Sequence, residues 1–279
     1  MKNKSLNAKV AVITGGSKGI GFRIAKIFAK KKYNIVICSR SKKDTLKAKK
    51  EIESFGVKCL GFKTDISKYA ACKSLISNAI KTFARIDLLV NNAGIQGPIG
   101  NLWENNLKEW EKTIQINLLG TFYMCKLVIP QMLKQGSGKI INLSGGGGAY
   151  ARPLFSAYGA GKTAILRLSE TLAEELKNTD ITVHALAPGT VWTNMAKETM
   201  KNKAKLDKKT ILELELAKKT GGASPEKLEA MLSFLTSNKS NKLSGKLIHV
   251  NELEKIKKKS NIKTESGLLR RVDFSRSRV

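Results

Sequence analysis

Short apolar runs alternate with amphipathic stretches along most of this chain. The runs fall at residues 10–13, 34–39, 57–62, 86–91, 138–144, 181–186 and 245–250. Each is short, bounded by polar or glycine residues, and apolar on both alternate positions. That is the signature of a strand covered on two sides. Between them lie stretches with helical spacing, up to about residue 32 and at about 44–55, 68–84, 107–134, 156–177 and 225–236. Pro225 directly behind Ser224 marks the start of the last of these. Strand and helix in strict alternation predict βαβ units. The expected fold is a doubly wound α/β domain with a parallel seven-stranded sheet and helices on both faces.

The rhythm breaks after Pro188. Residues 190–223 are polar and lysine-rich, with a helical pattern at 211–216, and are expected to form a lid over a substrate. The seventh strand then completes the sheet. One domain is expected over residues 1–250, with a basic extension over 251–279. Single α/β domains of ~200–250 residues are common, so length forces no second unit.

Composition narrows the picture in three ways. No apolar run approaches the ~20 residues that span a bilayer. The apolar stretch behind the basic N-terminus stops at Thr14-Gly15-Gly16. It is shorter than the roughly 7–15 residues of a signal-peptide core, so a cytoplasmic protein is expected. Cys38, Cys59, Cys72 and Cys125 are scattered without any C-x-x-C pair, which implies neither a metal site nor a disulfide framework. The net charge is +29, but only nine of the 51 basic residues are arginine, and the lysines are spread along the whole chain. Phosphate and base recognition favours arginine. Nucleic acid is therefore not the expected partner, although the field attracts anions.

The turn Thr14-Gly15-Gly16-Ser17-Lys18-Gly19-Ile20-Gly21 joins the first strand to the first helix. Glycines at 15, 19 and 21 permit a tight turn, close approach of a pyrophosphate and close helix packing. The helix N-terminus adds free N–H groups for phosphate. Standing alone a glycine trio is an ordinary turn; its place in a βαβ unit makes it a dinucleotide site. The second strand ends in Ser39-Arg40, without the acidic residue that holds the ribose hydroxyls of NAD. Arg40 and Lys18 put two cations where a 2′-phosphate lies, which selects NADP(H) over NAD(H). The plain alternative is that both belong to a lysine-rich surface.

Farther along, Tyr158-Gly-Ala-Gly-Lys162 sets a phenol and an ammonium on one helix face. Free tyrosine titrates near 10, poorly matched to neutral chemistry, and a nearby cation lowers that value. Tyr69 and Lys73 share the spacing on an expected solvated surface, so the spacing alone decides nothing.

The glycine turn, Asn91-Asn-Ala-Gly94, the Asn117 region, the Tyr158/Lys162 pair and Pro188-Gly189 occur together in this order. In that set, over about residues 8–250, the chain resembles a short-chain dehydrogenase/reductase of the single-domain type. The resemblance implies a Rossmann sheet and a hydride moving between a nicotinamide and a carbonyl or secondary alcohol. It makes Tyr158 the acid/base, with Lys162 tuning it and reaching the nicotinamide ribose, and Asn117 holding a water in the proton relay. It sets Asp65 and Ile66 at the adenine, and Asn91, Ala93 and Gly94 beneath the ribose. Pro188, Gly189, Val191 and Thr193 would lie near the nicotinamide. It also implies a homodimer or homotetramer through the helices around 107–134 and 156–177.

One departure stands out. The family serine that orients the substrate oxygen lies thirteen residues before the tyrosine, where this chain has Gly145. The hydroxyl stands one residue earlier, at Ser144, and adjacent strand residues face opposite ways. Glycines 145–148 leave room for a local shift, so either Ser144 or backbone N–H groups of that loop would hold the oxygen. A cofactor-binding sensor without turnover is the rival reading. A sugar-nucleotide epimerase or dehydratase is a weaker one, because the chain lacks room for the large C-terminal domain of such enzymes. Trp192, Met195 and Met200 are candidate pocket walls or plain packing, and His184 and His249 are expected to be structural. Asn251-Glu-Leu-Glu254 stands where many relatives have an Asp-Gly-Gly turn. The basic tail beyond it would cover a neighbouring site, bind an anion, or stay disordered.

Overall fold

A computed structural model describes residues 8–258. Seven strands form one sheet: β1 Val10–Thr14, β2 Asn34–Ser39, β3 Cys59–Lys63, β4 Leu88–Asn91, β5 Gly138–Leu143, β6 Ile181–Ala187 and β7 Leu247–His249. Their order is β3-β2-β1-β4-β5-β6-β7, and every pair is parallel. The connection reverses direction between β1 and β4, and such a switch point opens a crevice at the carboxyl ends of the strands.

Alternation within the strands sorts the helices to two faces. Ala11 and Ile13 of β1, Ile35 and Ile37 of β2 and Ile141 of β5 pack against three helices: α1 (Gly19–Lys30), α2 (Lys42–Glu53) and α10 (Pro225–Leu235). Val10, Val12, Val36, Leu89 and Val183 face α3 (Tyr69–Phe83) and α5 (Gly120–Lys134) on the other side. Both alternating sets are buried, which is why the strands read as unbroken apolar runs.

Two strands start later than their apolar runs. β3 begins at Cys59, where pairing with Ile35 begins, and the Asn34 side chain accepts from Lys58 N just ahead of it. β4 begins at Leu88 because Asp87 turns its carboxylate to Val10 N (2.8 Å) and to Arg85. The long helical stretch is three pieces: α4 (Leu107–Ile114), a π turn over Gln115–Leu119, and α5. Contrary to the expectation from apolar runs, Leu107–Lys134 is long and apolar enough to cross a bilayer by length and composition. Here its apolar side, including Met124, Val128 and Met132, lies in the core.

The stretch 190–223 carries α8 (Asn194–Met200) and α9 (Lys208–Thr220). They hold together through their own cluster of Ala196, Leu206 and Leu214 with Phe155. Packing does not stop at residue 250: α11 (Leu253–Lys258) sends Leu253 and Ile256 into the core beside α10. The rest of the basic tail, from 259, lies outside the described residues. All four cysteines are buried and free.

Candidate active site

The crevice at the switch point opens into a cavity of about 1540 Å³ that runs from the glycine turn to the lid. Drug-sized pockets occupy about 300–1,000 Å³, so this one has room for a dinucleotide and a substrate together. Ser17, Lys18, Gly19 and Ile20 line it, with Gly15 at a φ of 64°, where a side chain would be strained. Gly21 stays below the surface. A Cβ there would meet Gly15 O at 2.4 Å, so only glycine lets α1 start so close to β1. The first turn of α1 carries no acidic residue and no side-chain cap, leaving its N–H groups open to phosphate.

Arg40 is exposed on the wall at the end of β2 and makes no hydrogen bond or salt bridge among the described residues. Lys18 is different. Its ammonium lies 2.8 Å from the Asp44 carboxylate in the first turn of α2, which holds that carboxyl below its usual range. A carboxylate therefore does border this corner, contrary to the reading from the strand end alone. It is directed at Lys18 rather than at Arg40. Asp65 and Ile66 line the same region. Burial pushes the Asp65 carboxyl up, but two hydrogen bonds from Ser67 and the Arg40 charge outweigh it and keep the group ionised.

At the chemical end, α7 (Ser156–Glu175) presents Tyr158 and Lys162 to the cavity. Lys162 is buried, donates to Leu143 O at 2.7 Å, and lies 5.7 Å from the centre of the Tyr158 ring. Burial pushes its ammonium down to about 8. Burial raises the Tyr158 phenol, and the charge of Arg152 opposes that. Asn117 sits in the π turn, fully buried, with its amide paired both ways to the backbone of Ile95 at 2.9 Å. This pins the segment 94–96. A Cβ on Gly94 would come 3.0 Å from Asn117 Oδ1 and 3.6 Å from Lys162 Nζ, so Gly94, Asn117 and Lys162 form one cluster. π turns are rare and often mark functional sites.

The sequence pattern of the family described as short chain dehydrogenase matches residues 9–204. The chain belongs to that family. Among its relatives is the 3-oxoacyl-[acyl-carrier-protein] reductase FabG of Staphylococcus epidermidis. It is 35% identical over 244 residues, covering 87% of this chain and 97% of that protein. Dehydrogenase/reductase SDR family member 4 of Mus musculus is 31% identical, covering 89% and 88%. Among solved structures, a variant of actinorhodin polyketide ketoreductase with NADPH superposes with a TM-score of 0.79 at 26% identity, covering 88% and 96%. NAD+-bound xylitol dehydrogenase gives the same score at 24% identity, which speaks for the fold alone. The protein is thus an NAD(P)-dependent short-chain dehydrogenase/reductase, built on the seven-stranded Rossmann sheet.

In this short-chain dehydrogenase the position thirteen before the tyrosine faces it: a Cβ on Gly145 would lie 2.8 Å from Tyr158 Oη. Ser144 also lines the cavity, but its hydroxyl is buried against Gly148 and has no partner among the described residues. The glycines are a packing requirement, because α6 (Gly146–Ala149) lies directly on α7. A Cβ would strike Tyr150 Oη from position 146 and the Lys162 carbonyl carbon from position 148.

Ala93, Gly94, Pro188, Gly189, Val191 and Thr193 all line the cavity. Thr193 caps α8 and lies over Gly19, so the lid reaches the phosphate end of the short-chain dehydrogenase. Asn91 does not line the cavity. Its side chain turns into the core toward Asn142 and Cys125, and its neighbour Asn92 clamps the glycine turn through Thr14 O and Gly15 O. Sequence reasoning missed Asn92, Asp44, Gln96 and Arg152. Trp192 and Met195 line the cavity, while Met200 packs within the lid cluster. His184 is buried between Leu243 O and Ser240. His249 caps the turn after β7 and borders the cavity.

Proposed function

We propose that this short-chain dehydrogenase is an NADP(H)-dependent reductase of carbonyls to secondary alcohols, acting in either direction, with Tyr158 as general acid/base. The observation that carries it is the meeting of Tyr158 and Lys162 at one end of a dinucleotide-sized cavity, with Asn117 buried behind Gly94 beside Lys162. Bound nicotinamide supplies or accepts the hydride at the substrate carbon. Tyr158 Oη gives the carbonyl oxygen its proton as the alcohol forms, and takes it back in oxidation. Lys162 stands behind the phenol, where its charge favours phenolate. Asn117 fixes segment 94–96 and thereby the floor beneath the ribose, bordered by Ala93 and Gly94.

The preference for NADP(H) over NAD(H) rests on Arg40, whose fork makes no hydrogen bond or salt bridge among the described residues and suits a 2′-phosphate. Lys18 adds charge only as far as Asp44 releases it. A homo-oligomer through α4, α5 and α7 is supported by exposed Phe122 and Leu133 on α5. Four reduced thiols favour a cytoplasmic setting.

The test is loss of NADPH absorbance with fractionated metabolites, comparing wild type with Tyr158→Phe. Turnover by wild type alone supports the reading. Gly145 in the serine's place favours one rival, a cofactor-binding sensor: tight NADPH binding with no turnover of any fraction would establish it instead.

A further inference from the structure

The substrate end of the cavity is rich in hydrogen-bond donors that have no acceptor. Arg152 lines the cavity, its guanidinium stacked 3.9 Å from the centre of the Phe155 ring. It makes no hydrogen bond or salt bridge among the described residues. That stacking holds the guanidinium on a buried ring, because Phe155 lies under Ala196 and Leu214 of the lid, in the cluster against which Tyr158 packs. Six residues on is Tyr158, and the Arg152 charge opposes the burial that raises its phenol. Lys209 stands at the mouth over the Tyr150 ring, at 5.3 Å, also without an acid among the described residues.

A second observation comes from the opposite wall. Gln96 is 8% exposed and lines the cavity, yet its Nε2 has no partner. Its Oε1 lies 3.4 Å from the Thr199 hydroxyl of α8, which also donates to Met195 O at 2.9 Å, so the amide is wedged between wall and lid. The two lid carboxylates on this rim do not neutralise the cations. Asp207 accepts from Thr210 N and Thr210 Oγ1 as the cap of α9, and exposed Glu213 forms no salt bridge among the described residues.

We infer that the substrate is an oxo acid whose carboxylate pairs with Arg152 beside the reacting carbonyl. A planar guanidinium matches a planar carboxylate with two parallel hydrogen bonds, and Lys209 adds a second cation at the mouth. The position of Arg152 next to Tyr158 places the carboxylate within a few bonds of the carbonyl. This rests on the reading that Tyr158 is the proton donor. It adds the charge of the substrate, a property that Tyr158, Lys162 and Asn117 leave open.

The experiment compares 2-oxo-4-phenylbutanoate with its ethyl ester, at saturating NADPH, on the full chain. Charged hydrogen bonds contribute about 1.5–3 kcal/mol, so wild type should prefer the acid by roughly 10- to 150-fold in kcat/KM. Arg152→Gln should cut the acid-to-ester ratio at least about tenfold, through KM. Equal rates on both compounds in wild type would overturn the inference. So would an acid preference that survives Arg152→Gln, or a variant that slows both compounds by one factor, the mark of an arginine acting on the phenol alone. Calorimetric binding of the same pair to Tyr158→Phe, with and without NADPH, keeps the two readings apart. Preference for the acid there, without turnover in wild type, counts against Tyr158 and supports Arg152; charge-blind binding overturns the Arg152 assignment.

Discussion

Arg40 offers the sharpest test of cofactor choice, because the fold asks nothing of it. It is exposed, lies at the end of β2 on the cavity wall, and makes no hydrogen bond or salt bridge among the described residues, its charge acting only on Asp65. Arg40→Ala should therefore leave the melting temperature unchanged. Its loss removes a charge-assisted contact with the 2′-phosphate, of about 1.5–3 kcal/mol before screening. Exposure to salt moves the figure toward the lower end, so NADPH affinity should fall roughly tenfold to thirtyfold at low ionic strength. NADH, which lacks that phosphate, should bind as before. Asp44→Asn is the companion variant: it removes a carboxylate and frees Lys18, so it should tighten NADPH and leave NADH alone. Fluorescence titration of both cofactors against the three proteins reads all of this. Parallel weakening of NADPH and NADH in Arg40→Ala, or no change in either, would refute the reasoning.

Three further outcomes follow from groups inside the protein. Gly145→Ala puts a methyl 2.8 Å from Tyr158 Oη, so the phenol must move; turnover should fall at least about tenfold while NADPH titration stays near wild type, and unchanged turnover would contradict the geometry. Lys162 has a folded value near 8 against an ordinary 10.5, so the folded state resists the ammonium and stability rises with pH between those values. Lys162→Met should accordingly abolish turnover yet stabilise the fold at neutral pH by about 1–3 kcal/mol, read by urea denaturation; a drop in midpoint would show the ammonium is held favourably. Burial, with a smaller push from Lys139 and against the pull of Leu243 O, lowers the His184 imidazole to about 4 from 6.5. The unfolded chain takes up that proton first, so about 3 kcal/mol of stability should drain away as pH falls from 6.5 to 4; His184→Gln should flatten the loss, and identical pH curves would count against it.

Much of this architecture is legible in residues taken one stretch at a time. Strand and helix carry different periods, and the glycine turn and the Tyr158/Lys162 pair are local patterns in a telling order. What escapes is contact between segments. Asp44 reads as an ordinary acidic residue in a first helical turn, and nothing local says that it reaches back to Lys18. Asn91 and Asn92 are adjacent and alike, but the pleat sends one into the core and the other to the glycine turn. Gln96 and Arg152 lie in loops without any period, so their cavity-facing places follow only from what α8 and α7 do around them. The glycines at 145–148 read as freedom, and contact between segments adds a second reason at 148, where a Cβ would meet the Lys162 backbone at 3.0 Å.

The π turn at Gln115–Leu119 sets the helix in two registers. Each α-helical residue advances the face by about 100°, and the wide turn absorbs one residue more than an α turn would. Upstream, the phase is set by Thr113, which lies against Gly97; downstream, it is set by Met124, Val128 and Met132 in the core. Deleting a single residue between 115 and 119 would restore ordinary winding and keep both halves in phase. The surplus residue is thus a local insertion that the flanks do not feel, and what would vanish with it is the bulge that turns Asn117 toward Ile95.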